Sequence, residues 1–106
     1  MSKKYTPRIT TYENNLNTVL EVGPKSIRYQ LNEWSEAASA EWPGGKPVGD
    51  VGRTLDAALR AARRKARRAK GTILLVAYQW TGARDDAHLV RVGTVFEVKA
   101  AFTETN

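Results

Sequence analysis

Apolar and polar residues alternate in the first third of the chain, and this alternation predicts a β-hairpin. Ile27, Tyr29 and Leu31 are separated by polar residues, a period of two that is typical of a strand with one buried and one solvated face. A partner strand is predicted over 18–22, because the intervening Gly-Pro-Lys-Ser sequence favours a turn. The β-branched and aromatic residues over 8–12 predict a further strand before the hairpin.

Helical periodicity is clearest over 54–70. Thr54 is placed to cap the helix, Asp56 lies in the first turn where the helix dipole favours an anion, and Gly71 follows the C-terminal end. At 100° per residue, one narrow stripe of the helix is apolar, formed by Leu55, Ala58, Leu59, Ala62, Ala66 and Ala69. A shorter helix is predicted over 33–42, ended by a Pro-Gly-Gly-Lys-Pro loop.

Two strands complete the predicted fold. The apolar run over 72–80 predicts a central strand, and 88–99 predicts the last strand. We therefore expect an α+β fold with the element order β-β-β-α-α-β-β. Its mostly antiparallel sheet of about five strands carries one long basic amphipathic helix, with a short second helix nearby. A chain of 106 residues suits a single small domain, in which we expect 1–7 and 100–106 to be flexible.

Composition excludes several kinds of site. The chain has no cysteine, which removes disulfides, thiolate metal sites and a cysteine nucleophile, and its one histidine, His88, excludes sites that need two imidazoles. We expect neither a cofactor nor a metal. No apolar run approaches the roughly 18 residues of a membrane span, and the polar start is unlike a signal peptide. The expected location is therefore cytoplasmic, away from the membrane.

Positive charge is concentrated in the predicted long helix. The formal net charge is +6, and residues 53–70 contain eight of the 17 Lys and Arg residues with a single acid. Because these side chains neutralise phosphates and release condensed counterions, the segment predicts a small non-enzymatic nucleic-acid-binding or accessory protein. The predicted helix carries Arg60, Arg64, Arg67 and Arg68 on the side opposite the apolar stripe, with Arg63 and Lys65 on the flanks. The expected phosphate-contacting side chains are Arg60, Arg63, Arg64, Arg67 and Arg68.

Three acidic residues bear on whether that basic surface is open. Exposed helices usually mix both signs of charge, yet no acid occurs between 57 and 70. Glu33, Glu36 and Glu41 could fold against the helix and neutralise it. In that case the cations would form ion pairs within the domain and would not be available to bind a partner.

A protein-interaction module is the alternative function, for example a phage-encoded modulator of a host protein. Trp34 and Trp42 would share one face of the predicted short helix, where exposed aromatic residues suit a protein partner. The basic helix could also bind an acidic protein surface, and a homodimer is compatible with a sheet whose second face is open. Aromatic side chains can stack on bases of single strands, but we place Trp80 and Tyr29 in the core.

An enzymatic alternative rests on three residues near the C-terminus. Asp86 followed by Glu97-Val98-Lys99 resembles the pattern of the PD-(D/E)xK nuclease family. The resemblance implies that the two carboxylates hold Mg²⁺ and that the lysine positions the attacking water. It covers 85–99 alone, and Asp85 stands where that pattern has proline. We rank a Mg²⁺-dependent nuclease behind both binding functions.

Overall fold

A five-stranded antiparallel sheet forms the framework, and two helices pack on one of its faces. The computed structural model describes residues 2–52, 54–68, 71–82 and 85–105. The strands lie in the order β1-β5-β4-β2-β3. The elements are β1 (Ser2–Thr11), α1 (Glu13–Val22), β2 (Ile27–Trp34), β3 (Lys46–Gly52), α2 (Leu55–Ala66), β4 (Thr72–Thr81) and β5 (His88–Thr105). The expected α+β class is confirmed.

The core lies between the helices and the inner face of the sheet. Ile27, Tyr29 and Leu31 are buried, as their alternation predicted. They pair directly with β4 residues that face the same side, so that Leu31 lies opposite Leu75 and Tyr29 opposite Ala77. The same cluster contains residues from both helices and from β5, which places the helices on one side of the sheet.

The predicted strand over 18–22 is wrong, because that segment is the second half of α1. Leu16, Val19 and Val22 recur at helical spacing and pack on the core beside β5. The helix is also tied to that strand by Asn15, whose Nδ2 donates to the carbonyl oxygen of Thr94 at 2.7 Å. These tertiary contacts outweigh the strand preference of the β-branched residues in the segment.

The short helix predicted over 33–42 is also wrong. Trp34 ends β2, and the residues that follow form successive turns. The Ser35 hydroxyl accepts the Ala38 N–H at 3.3 Å, and the Ser39 hydroxyl donates to the Glu36 carbonyl at 2.8 Å. Such side-chain bonds to the backbone compete with a regular helix. The second helix of the fold is therefore α1, and it precedes β2.

Strand β3 lies in a segment that the sequence predicted as loop. It pairs with β2 at the edge of the sheet and contains Pro47, Gly49 and Gly52. Proline and glycine weaken the strand signal and are tolerated at edges, where one row of backbone groups faces solvent. With β3 and α1 included, the element order is β-α-β-β-α-β-β rather than the predicted β-β-β-α-α-β-β.

Helix α2 is shorter than the long helix predicted over 54–70, which is not confirmed. It has 12 residues and ends at Ala66. Thr54 occupies the N-cap position as predicted, although its hydroxyl makes no capping bond, and Asp56 lies in the first turn. Ala69 and Lys70 of the predicted helix lie outside the described residues.

The early end of α2 follows from the close approach of Gly71 to β2. A Cβ at Gly71 would collide with the carbonyl oxygen of Trp34. β4 starts at Thr72, directly after this contact. A helix that continued to residue 70 would leave only Gly71 for the change of chain direction between helix and strand. Gly71 is thus required for a close backbone contact, rather than as the helix-ending residue with positive φ that the sequence suggested.

The two chain ends pair with each other. β1 pairs with β5 along its whole length, from Ser2 opposite Thr105 to Thr11 opposite Phe96. Residues 2–7 and 100–105, for which we expected flexibility, therefore form strand pairs. Met1 and Asn106 lie outside the described residues.

The outer face of the sheet is crossed by the segment 35–45. The side-chain amide of Asn32 on β2 donates to the Gly44 carbonyl at 3.2 Å. Gly44 also lies against the guanidinium of Arg91 on β5. Between these two contacts Val76 of β4 is fully buried, although it is not part of the core beneath the helices. On either side of this crossing, Trp34 at the end of β2 and Trp80 near the end of β4 are exposed.

Replacing Gly71 by alanine should destabilise the protein, because the added methyl group must displace the backbone of Trp34. We expect the free energy of unfolding, measured by urea denaturation, to fall by about 1–3 kcal/mol. Gly49→Ala is the matched control, since a Cβ there meets no atom within 4 Å. Equal effects of the two substitutions would contradict the close packing of Gly71 on β2.

High pH should destabilise the fold through Tyr29. Burial raises the pKa of this phenol from 10.0 to about 12. The folded state therefore favours the neutral form, and its contribution is complete below pH 10 and is lost as the pH rises from 10 to 12. We expect a loss of about 3 kcal/mol across that window. Tyr29→Phe should remove this part of the pH dependence, and an identical pH profile in the variant would contradict the assignment.

Candidate nucleic-acid interface

Small side chains hold α2 against the sheet. Ala58, Ala62 and Ala66 are all fully buried and lie on the side of the helix that contacts the core. Leu55 and Leu59 are partly buried beside them. The apolar stripe predicted from the sequence is therefore the contact surface, except for Ala69, which lies outside the described residues.

The opposite side of α2 carries Arg60, Arg63 and Arg64, which at 100° per residue span an arc of roughly 100°. Arg67 and Arg68 directly follow the end of the helix, and all five arginines are exposed. One depression of about 400 Å³ is lined by Arg60, Arg63, Arg64 and Arg67, together with Ala57. A second, of about 600 Å³, contains Arg64, Lys65, Arg67 and Arg68. Because the depressions share Arg64 and Arg67, we treat these five arginines and Lys65 as one surface, the arginine patch.

The second of these depressions is a shallow groove between the arginine patch and β2. Its floor includes Leu31 and Ala61. Gly49 of β3 pairs directly with Leu31 and lacks a side chain that could cover this floor. The cations of the patch therefore stand beside a partly apolar floor. Lys65 is a groove residue that the sequence reasoning placed only on the flank of the helix.

Among the described residues, Glu33, Glu36 and Glu41 form no salt bridge with Arg60, Arg63, Arg64 or Arg68. The ion pair found in that part of the chain joins Arg28 and Asp50 at 3.4 Å, across β2 and β3. Arg60, Arg63, Arg64 and Arg68 form no salt bridge to a described carboxylate. Their charge is therefore open to solvent.

The tryptophans are placed differently from the prediction. Trp34 and Trp42 are each 37% exposed, but Trp34 ends β2 and Trp42 lies in the crossing segment, so they share no helix face. Trp80, which we expected in the core, is 38% exposed, whereas Tyr29 is buried as expected. Trp80 lies near the end of β4, and by alternation from the buried Leu75 and Ala77 its side chain is on the outer face, opposite the helices.

The outer face of the sheet has a depression that the sequence reasoning missed. It measures about 460 Å³, and its lining includes Tyr12, Trp34, Leu74, Glu97 and Lys99. The Tyr12 hydroxyl donates to Glu97 Oε2 at 2.8 Å, and this bond is the main cause that raises the pKa of Tyr12. The residues come from several elements, so that only the register of the sheet could have shown their proximity.

The residues of the nuclease pattern do not come together. Asp86 precedes β5, and its carbonyl oxygen contacts the His88 ring at 2.9 Å. Glu97 lies nine residues along this strand from His88, roughly 30 Å at the usual rise, and Lys99 lies two residues farther. Within the described residues no cluster of three His, Asp or Glu side chains could hold a metal ion.

Comparisons with protein-family models, with curated proteins and with solved structures gave no match to this chain. Neither of the helices in the described part of the chain is long and apolar enough to cross a membrane. The arginine patch and the depression of the outer face are the features of the molecule that bear on its function.

Proposed function

We propose that this protein binds the phosphate backbone of nucleic acid through the arginine patch of α2, as a small non-enzymatic binding or accessory protein. The observation that carries the proposal is the continuity of the patch. Its arginines line two adjoining depressions that share Arg64 and Arg67. A phosphate chain is an extended array of negative charges and is the natural complement of such a surface.

Phosphate binding favours arginine at these positions, whereas solubility alone would not require it. Its planar guanidinium offers several donors in a fixed fork, which matches two oxygens of a phosphate. Arg60 and Arg64 are about 6 Å apart along the helix axis, and Arg67 follows three residues later, directly after the last helical residue. Neighbouring phosphates can therefore be contacted by successive arginines.

The patch is also electrostatically unfavourable without a partner. Like charges four residues apart on a helix, such as Arg60 and Arg64, destabilise it by a few tenths of a kcal/mol. Bound phosphates would reverse the sign of this contribution. The backbone contacts alone would confer affinity without base specificity.

An acidic protein surface is the rival partner, and it would contact the same cations. The exposure of Trp34 and Trp42 favours a protein partner as well. The two tryptophans line none of the depressions of the arginine patch. A protein interaction through them would therefore be independent of Arg60 and Arg64.

Removing two arginines should weaken nucleic-acid binding. We expect Arg60→Gln/Arg64→Gln to lower the affinity for a short DNA duplex, for either of its strands and for the matching RNA by roughly tenfold at low salt. Both positions are exposed, so the variant should unfold at nearly the same temperature as the wild type. Fluorescence anisotropy of labelled oligonucleotides measures the affinity.

Lys25→Gln/Lys46→Gln is the control, since it removes the same charge from exposed positions outside the patch. It should retain most of the affinity. Equal losses in the two double variants would reduce the effect to net charge and contradict a localised interface. Absence of binding to any of the three nucleic acids at low salt would reject the proposed function and leave an acidic protein surface as the partner to test.

A further inference from the structure

The depression on the outer face of the sheet combines an exposed aromatic ring with cations. Trp34 lies at the end of β2 on the face opposite the helices, beside Thr72 of β4. Lys99 of β5 lines the same depression. With strands about 4.8 Å apart, Trp34 and Lys99 are separated by roughly 10 Å across the sheet. A planar ligand on the indole would place an attached charged group within reach of the lysine.

The positive charge at this end of the sheet is reinforced by β1. Arg8 is directly opposite Lys99 in the pairing of β1 with β5, and both side chains are exposed. Like charges directly opposite in a sheet are unfavourable, and an anion bound between them would remove that repulsion. The two cations thus indicate a negatively charged group in the ligand.

The remaining walls of the depression are suited to a flat, partly polar ring. Leu74 supplies apolar surface between Trp34 and Glu97, and the Glu97 carboxylate is held by the Tyr12 hydroxyl at 2.8 Å. Its unused lone pairs can accept hydrogen bonds from the edge of a ring. A nucleobase combines a stacking face with polar edges and carries a phosphate on its sugar.

The depression lies next to the arginine patch around one end of the sheet. Gly71 packs on the carbonyl of Trp34, and Arg68 precedes Gly71 by three residues. The Cα atoms of Arg68 and Gly71 are therefore at most about 11 Å apart. One strand could lay its phosphates on α2 and turn its next bases towards Trp34.

We propose that the nucleic acid bound by this protein is single-stranded, with one base stacked on Trp34 and its phosphate at Lys99 and Arg8. This inference rests on the proposed function of the arginine patch. A duplex keeps its bases stacked on each other and presents only phosphates to α2, whereas a single strand can turn a base onto an aromatic side chain. Trp34 therefore distinguishes the two forms of nucleic acid.

The test compares a single-stranded oligodeoxynucleotide with a hairpin duplex of the same length. Trp34→Ala should weaken single-strand binding by roughly 5- to 100-fold and leave duplex binding unchanged. Trp34→Tyr should restore most of the affinity, because tyrosine also stacks. The control is Trp80→Ala. Trp80 is about as exposed as Trp34 and lies on the same face of the sheet, near the far end of β4. The quenching of tryptophan fluorescence by the single strand should disappear in Trp34→Ala and persist in Trp80→Ala.

Each contrary result has a distinct meaning. If Trp34→Ala leaves single-strand affinity unchanged, or weakens duplex binding equally, the stacking site is wrong while the arginine patch can still bind phosphates. If neither nucleic acid binds the wild type at low salt, the proposed function and this inference both fail. A dimer in solution that Trp34→Ala dissociates would assign the face to a second copy and overturn the proposal. Thermal unfolding of each variant verifies that it remains folded.

Discussion

The contact between the alanine face of α2 and the sheet determines how this molecule presents its charge. Ala58, Ala62 and Ala66 are fully buried, and their methyl groups are small enough for the helix to lie close to the strands. The large buried side chains come mainly from the strands, among them Ile73 and Leu75. With that side of the helix occupied by alanine, every long cationic side chain of α2 is directed towards solvent.

Two acids of the domain, Asp50 and Glu97, are engaged with other partners away from α2. Asp50 pairs with Arg28 at the β2–β3 edge, and Glu97 accepts the hydroxyl of Tyr12 on the outer face. Among the described residues, neither carboxylate contacts α2. The excess positive charge of the chain, a formal net +6, is therefore unevenly distributed over the fold as well as along the sequence. An anionic partner that covers the arginine patch would remove the repulsion among its cations. A neutral partner would enclose the same cations without reducing their repulsion.

Local patterns predicted the parts of the fold whose periodicity is uninterrupted. β2 and the buried side of α2 were predicted because one face of each element is consistently apolar, and β4 was predicted because its apolar run is nearly continuous. The same helical geometry predicted the grouping of the five arginines. Strand β3 gave no such signal, since Pro47 and Gly49 occur in it and an edge strand has few buried side chains. Helix α1 was mistaken for a strand because its packing on β5, which no local pattern reveals, outweighs the preference of Thr18 and Val19.

The depression of the outer face lay beyond sequence reasoning for a different reason. Arg8 and Lys99 are far apart in the chain and become neighbours only through the β1–β5 register. Trp34 joins them through two further strand pairings, and its end-of-strand position contradicts the helix predicted around it. Register depends on the whole sheet, so a site assembled from several strands cannot be read from the spacing of its residues.

The dependence of affinity on salt concentration tests most directly whether the arginine patch neutralises phosphates. Each phosphate neutralised on a single strand contributes about −0.7 to the slope of log K against log salt concentration. With four or five arginines of the patch in contact, the slope for the wild-type protein should be roughly −3 to −4. A slope near zero would mean that binding does not release counterions, and it would contradict the assignment of this surface to nucleic acid.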